Sequence, residues 1–179
     1  SISFQAIENQ YMNGDCQRAI SGFQNYISKY PDGAFYVVAN YYMADCLIKN
    51  SQKQEALQAY ENIILKPKNA FTEKAILKAA NLNFENKNYE TALTEYCLLE
   101  QTAEISNHKL QALLGAMECY YLLNKFDSTI IASNKILALE KADENVSEKA
   151  SYYLAKSLLK NGNSGQAIEE FKKLTNAKN

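Results

Sequence analysis

His108 is the one histidine in the chain, so imidazole chemistry, whether metal ligation or proton transfer, would have to be built around it. No ligand set stands at the spacing such a site needs, and the residue reads as a surface or capping histidine near the start of a helix. Glu169 and Glu170 are the kind of carboxylate pair that could share acid and base work. Adjacent helical positions point apart, so the pair reads as a solvated face. Four cysteines, Cys16, Cys46, Cys97 and Cys119, form no C-x-x-C pair and are too scattered for a disulfide framework. They are expected to be small helix-packing residues, which counts modestly against an oxidising compartment. Neither G-x-x-x-x-G-K-[ST] nor G-x-S-x-G occurs, and six glycines are too few for a phosphate cradle. No enzyme, metal or cofactor is expected from this inventory.

Charge narrows the partners further. Nineteen basic and twenty acidic residues give a net charge of −1, which leaves no electrostatic footprint for nucleic acid or an anionic membrane surface. No apolar run approaches the roughly 18 to 20 residues that span a bilayer, so direct membrane insertion is not expected. Residues 1 to 20 lack a basic segment followed by an apolar block, and the chain reads as soluble. It opens on Ser1 rather than Met, as a processed or excised piece would.

The elements that must carry any function emerge from a repeat. The segments GDCQRAISGF from Gly14, SQKQEALQAY from Ser51, KNYETALTEY from Lys87, NKFDSTIIAS from Asn124 and GNSGQAIEEF from Gly162 align. Their sixth residues, Ala19, Ala56, Ala92, Thr129 and Ala167, lie 37, 36, 37 and 38 residues apart. An aliphatic residue follows each (Ile20, Leu57, Leu93, Ile130, Ile168), and an aromatic residue stands four beyond the small one in all but the fourth copy. That spacing marks one face of an α-helix. A second helical pattern precedes each segment, with Ala44, Ala80 and Ala155 at positions that let helices approach closely. Between the paired patterns stand Asn13-Gly14-Asp15, Asn50-Ser51-Gln52, Asn86-Lys87-Asn88, Asn124-Lys125 and Asn161-Gly162-Asn163. Gly and Asn tolerate the left-handed conformation that stops a helix, and Asp or Asn can cap the next one.

Ten helices are therefore predicted, over 2–13, 15–29, 34–49, 52–65, 70–85, 88–102, 106–122, 125–139, 145–160 and 164–175. They form one repeat domain over 1–179, with copies over 1–33, 34–69, 70–105, 106–143 and 144–179. Each pair alone leaves an apolar face wet, so neighbours must stack.

Gly14, Ala19, Phe23 and Pro31 of the first copy resemble the glycine, small, aromatic and proline positions of the tetratricopeptide repeat. The resemblance covers essentially the whole chain and implies an all-α, right-handed superhelical solenoid. Three features depart from the pattern: tryptophan is absent, the period exceeds the usual value of about 34, and Thr129 and Ser133 replace Ala and an aromatic. Copy four is expected to pack least well. The stretch AISGFQNYISKYPDGAFYVVANYYMAD is similar to bacterial cell-envelope members of the family, of the Tol-Pal-associated and outer-membrane assembly lipoprotein type. A periplasmic or envelope location is what that similarity implies, with the cytoplasm as the alternative.

In this family the first helix of each pair lines the concave face. Carried onto this chain, the resemblance places Phe4, Glu8 and Tyr11 there in copy one, and Tyr41, Asp45, Ile48 and Lys49 in copy two. Copy three supplies Leu77, Asn81, Phe84 and Glu85, copy four Leu114, Glu118 and Tyr121, and copy five Tyr152, Lys156 and Lys160. The implied role is a protein-protein interaction scaffold that holds a peptide or helix with apolar anchors. Tyrosines at helical spacing are also core residues, and charges also form solvated faces. Asn81 alone matches the lysine and asparagine clamp with which some relatives hold a C-terminal carboxylate. The alternative role is a structural segment of a longer array, or a self-associating module without its own ligand. The absence of an evident polar capping helix at the end of the chain fits that alternative.

Overall fold

The computed structural model describes residues 3–140 and 142–176. The described residues form ten helices and no strand: α1 (Phe4–Met12), α2 (Cys16–Lys29), α3 (Tyr36–Lys49), α4 (Lys53–Ile64), α5 (Thr72–Glu85), α6 (Tyr89–Thr102), α7 (Ser106–Leu122), α8 (Phe126–Leu137), α9 (Glu144–Lys160) and α10 (Ser164–Asn176). Every predicted helix is present, with ends displaced by at most two residues. Ile2, where the first was expected to begin, lies outside the described residues.

Turn chemistry sets the pairing. Gly14, Ser51, Lys87, Asn124 and Gly162 all have positive φ, between 58° and 81°, and they recur at the repeat spacing. Each reverses the chain with the same two bonds. In the second turn Ser51 N–H donates to Ile48 O and Gln52 N–H to Leu47 O, at 2.9 and 2.8 Å. These bonds satisfy carbonyls that the end of α3 would otherwise leave unpaired. Asp15 then caps α2 by accepting from Arg18 N–H. Asn88, expected to cap α6 in the same way, makes no side-chain cap bond; its backbone N–H instead closes α5 through Asn83 O.

The chain divides into two compact units, Ser1–Leu82 and Asn83–Asn179, with the boundary inside α5. In the first unit, Ile7, Ala19, Phe23 and Ala39 form one buried cluster. Ala44, Ala56, Ala59, Tyr60, Ile63, Ala75 and Ala79 form the next, where small residues let helices approach while Tyr60 and Ile63 fill the space between them. In the second unit Met117, Ala132 and Ile136 pack with Ala150, and Leu154, Leu158 and Ala167 close the last pair. Thr129 and Ser133 are fully buried where other copies bury Ala and an aromatic ring. Thr129 Oγ1 donates to Lys125 O at 3.0 Å, whereas Ser133 Oγ has no hydrogen-bond partner among the described residues.

The packing-only reading of the cysteines is corrected for two of them. Cys16 and Cys46 form a disulfide between α2 and α3, with Cα atoms 5.1 Å apart. Cys16 opens α2 and Cys46 lies near the end of α3, and packing of these consecutive helices against each other brings residues 30 apart in sequence within bonding reach. Cys97 and Cys119 are free.

Candidate functional site

Tyr11 on α1, Asp45 on α3 and Lys78 on α5 meet in the first unit. Asp45 accepts from Tyr11 Oη through Oδ2 and from Lys78 Nζ through Oδ1, both at 3.0 Å. One carboxylate thereby links three successive first-type helices. Around it the rings interlock. Tyr11 stacks on Tyr42 with centroids 4.4 Å apart and planes 13° from parallel, and Tyr41 packs against Phe71 at 4.9 Å. Lys78 lies 5.1 Å over the Tyr41 ring and Lys49 lies 5.9 Å over that of Tyr11.

The electrostatics follow from this geometry. Burial, then the bond to the Asp45 carboxylate, pushes the Tyr11 hydroxyl up to about 12. Burial alone would lower Lys78, but the Asp45 bond and charge outweigh it and hold the ammonium above its ordinary value. At neutral pH both donors are therefore protonated, and the cluster is a fixed polar face with no proton to exchange.

The second unit carries a separate cluster on α7 and α9. Glu118 pairs with Lys149. Lys156 sits among three rings, 4.4 Å from the centroid of Tyr121, 4.8 Å from Tyr152 and 5.7 Å from Tyr153. Tyr121 and Tyr153 meet edge to face at 5.3 Å. Burial, and then the Glu118 charge, pushes Tyr153 up to about 12.

The residues expected on a binding face thus fall into distinct settings. Tyr11, Tyr41, Asp45 and Lys49 come together in the first unit, and Glu118, Tyr121, Tyr152 and Lys156 in the second. Phe4 instead stacks on Phe35 at 4.4 Å and packs against Phe23 and Tyr26. Ile48 packs partly buried on the core of the first unit, and Leu114 on that of the second. Leu77 is only 9% exposed, so its side chain belongs to the interior. Phe84 meets Tyr89 edge to face at 5.4 Å, Glu8 is half-buried, and Asn81, Glu85 and Lys160 are exposed.

Lys78, Tyr42 and Phe71 in the first unit, and Lys149 and Tyr153 in the second, were not singled out from sequence. Two of them carry a spacing signal. Lys78 follows Asp45 by 33 residues and Lys149 follows Glu118 by 31, so an acid on one first-type helix meets a lysine on the next.

Among the described residues no group of three or more His, Cys, Asp or Glu could hold a metal ion, and no helix is long and apolar enough to cross a membrane.

The family model described as tetratricopeptide repeat matches residues 3–33, 38–69 and 149–177, just over half of the chain. No curated protein matches. Among solved structures, one of the protein MamA aligns over 94% of this chain and 85% of its own, at 14% identity and a TM-score of 0.72. A second MamA structure aligns over 98% and 95%, at 13% identity and 0.71. A Podosopora anserina kinesin light chain protein of nearly identical repeats aligns over 96% and 90%, at 14% identity and 0.63. At such identities the likeness is one of fold.

Proposed function

Because the chain belongs to the tetratricopeptide repeat family, we propose that it is a protein-binding scaffold whose first-type helices hold a peptide or helical segment of a partner. The observation that carries this reading is the bonding of Asp45 to both Tyr11 and Lys78. Three helices present a tyrosine-rich face in one geometry before any partner arrives. A preset face loses less side-chain entropy on binding than a loose one. Tyrosine also offers large amphipathic contact area, which suits a segment with apolar anchors. Lys49, exposed beside Tyr11, adds a cation at the rim.

The disulfide between Cys16 and Cys46 supports work in an oxidising compartment, such as the envelope location that the sequence resemblance implied.

Affinity capture from the native lysate tests the binding face. Partners retained by the wild-type chain are expected to be lost with Tyr41→Ala and weakened with Lys49→Glu, the second being a surface change that leaves the fold intact. An unchanged set of partners with both variants would remove the first-unit face from consideration.

A further inference from the structure

In the first unit α2 and α4 both pack on α3, and the space left between them is a cleft of about 450 Å³. Its apolar lining is Ile20 and Ile27 of α2 with Met43 and Leu47 of α3. Ile20 and Met43 each pack on both buried clusters of the unit, so the cleft follows the seam between those clusters. Ile20, Ile27 and Met43 are left half-exposed there. The volume is in the range of sites that hold a ligand.

Two helical lines make the walls. Ile20, Gln24 and Ile27 follow one another along α2, and Glu55, Gln58 and Asn62 along α4. Each line covers two turns, about 10 Å of helix. An extended chain rises about 3.3 Å per residue, so about three residues match that length. Among the residues lining the cleft, Glu55 alone is charged.

The α4 wall is held by a relay of amides. Gln58 Nε2 donates to Asn62 Oδ1 at 3.3 Å, Asn62 Nδ2 to Asn40 Oδ1 at 2.9 Å, and Asn40 Nδ2 to Tyr36 O at 2.9 Å. Asn40 is fully buried, whereas the matching positions of copies three and four are Ile76 and Leu113, also buried. Packing alone therefore does not call for an amide at that place, and burying one without a bonded role is costly. What the relay does is fix Asn62 and, through it, Gln58 at the cleft. Gln58 keeps its carbonyl oxygen and second N–H for a ligand, a donor and acceptor pair that matches the N–H and C=O of one extended residue.

We propose that this cleft is a second docking site, which takes an extended segment of a partner protein about three residues long. One aliphatic side chain seats on Ile20, Ile27 and Met43, the N–H and C=O of the same residue pair with Gln58, and a basic neighbour faces Glu55. A purely apolar ligand is the poorer fit, because it would cover the amides without bonding them. None of these residues belongs to the binding face proposed above.

Methyl and side-chain amide NMR of the full chain, titrated with the blocked tripeptide acetyl-lysyl-leucyl-alanine N-methylamide, is the test. Saturable shifts are expected at the methyls of Ile20, Ile27 and Met43 and at the amides of Gln58 and Asn62. Exchange of the leucine for glycine, or of the lysine for glutamate, should weaken binding about threefold or more, and Glu55→Gln should abolish the preference for lysine. Methylation of the leucine nitrogen should cost a similar factor in the wild type and nothing in Gln58→Ala, as expected for a hydrogen bond between the two. Asn40→Leu should keep its helical circular dichroism yet bind more weakly, because Asn62 loses its anchor. The absence of saturable shifts overturns the inference. So do shifts centred on Tyr11 and Tyr41, which assign the tripeptide to the other face, or equal wild-type affinity for the methylated tripeptide, which makes the cleft a purely apolar site. Gln58 and Glu55 are exposed, so their variants keep the test decisive even if Asn40→Leu impairs folding.

Discussion

Gly115 of α7 lies directly beneath the ring of Tyr96 of α6, so close that a Cβ on the glycine would stand 2.4 Å from the nearest ring carbon. Tyr96 is itself buried and has no free direction in which to retreat. A helical glycine normally costs about 0.5–1 kcal/mol relative to alanine, so Gly115→Ala would be stabilising on propensity alone. Overpacking of a closed core costs about 1–3 kcal/mol, and that larger effect should win. Thermal unfolding is expected to show Gly115→Ala less stable than wild type, with Tyr96→Leu in the same chain recovering part of the loss. A rise in melting temperature for Gly115→Ala would contradict the packing described.

The five left-handed turn positions make a second set of expectations. Lys87 and Ser51 have φ of 63° and 61° where Gly14 and Gly162 occupy the same place in their copies. A Cβ in that region is strained, and no partner visible in the turn requires one. Lys87→Gly and Ser51→Gly should each stabilise by about 0.5–1 kcal/mol, and Gly14→Ala should cost a similar amount. Urea unfolding midpoints for the three variants check the signs.

The difference between these turns and the charged cluster explains what the sequence made legible. Helix boundaries were readable because Asn, Gly and a small-aliphatic-aromatic stripe act within one hairpin, over a few residues. The pairing of Cys16 with Cys46, and of Lys78 with Asp45, depends on how successive hairpins are set against each other, 30 and 33 residues apart. Periodicity tells which face of a helix is inward but not which two side chains on neighbouring helices come within 3 Å. For the same reason Leu77 and Phe4 could be placed on the right helix without revealing that one is interior and the other packs on Phe35.

The disulfide has a measurable stability consequence. Cys16 and Cys46 stand 30 positions apart in sequence, and closing a loop of that size in the unfolded chain corresponds to about 3–4 kcal/mol in the chain-entropy account. Reduction, or Cys16→Ser with Cys46→Ser, should lower the unfolding midpoint accordingly, while Cys97→Ser should not. Peptide mapping without reductant should recover residues 16 and 46 in one cross-linked fragment. Free thiols at both positions after oxidative purification would refute the pairing.

Alkaline stability tests the Asp45 cluster. Tyr11 rises from 10.0 in the unfolded chain to about 12 in the fold, so between these values the unfolded state sheds a proton that the folded state keeps. Unfolding is then favoured as pH climbs through that interval, and the stabilisation from the bond is fully present below it. Lys78, also raised, acts in the same direction: its contribution is intact below the ordinary lysine value and is lost as pH passes its folded value. Asp45→Asn removes the charge that both donors face while keeping the shape of the side chain. It should cost about 1–3 kcal/mol at neutral pH, because the half-buried Lys78 loses its counter-ion. It should also flatten the fall in stability above pH 10.0, the ordinary tyrosine value, since Tyr11 would then titrate nearer to it. Urea unfolding at a series of alkaline pH values, followed by circular dichroism, measures both effects. Identical alkaline profiles for wild type and Asp45→Asn would mean that the carboxylate does not hold the three helices together.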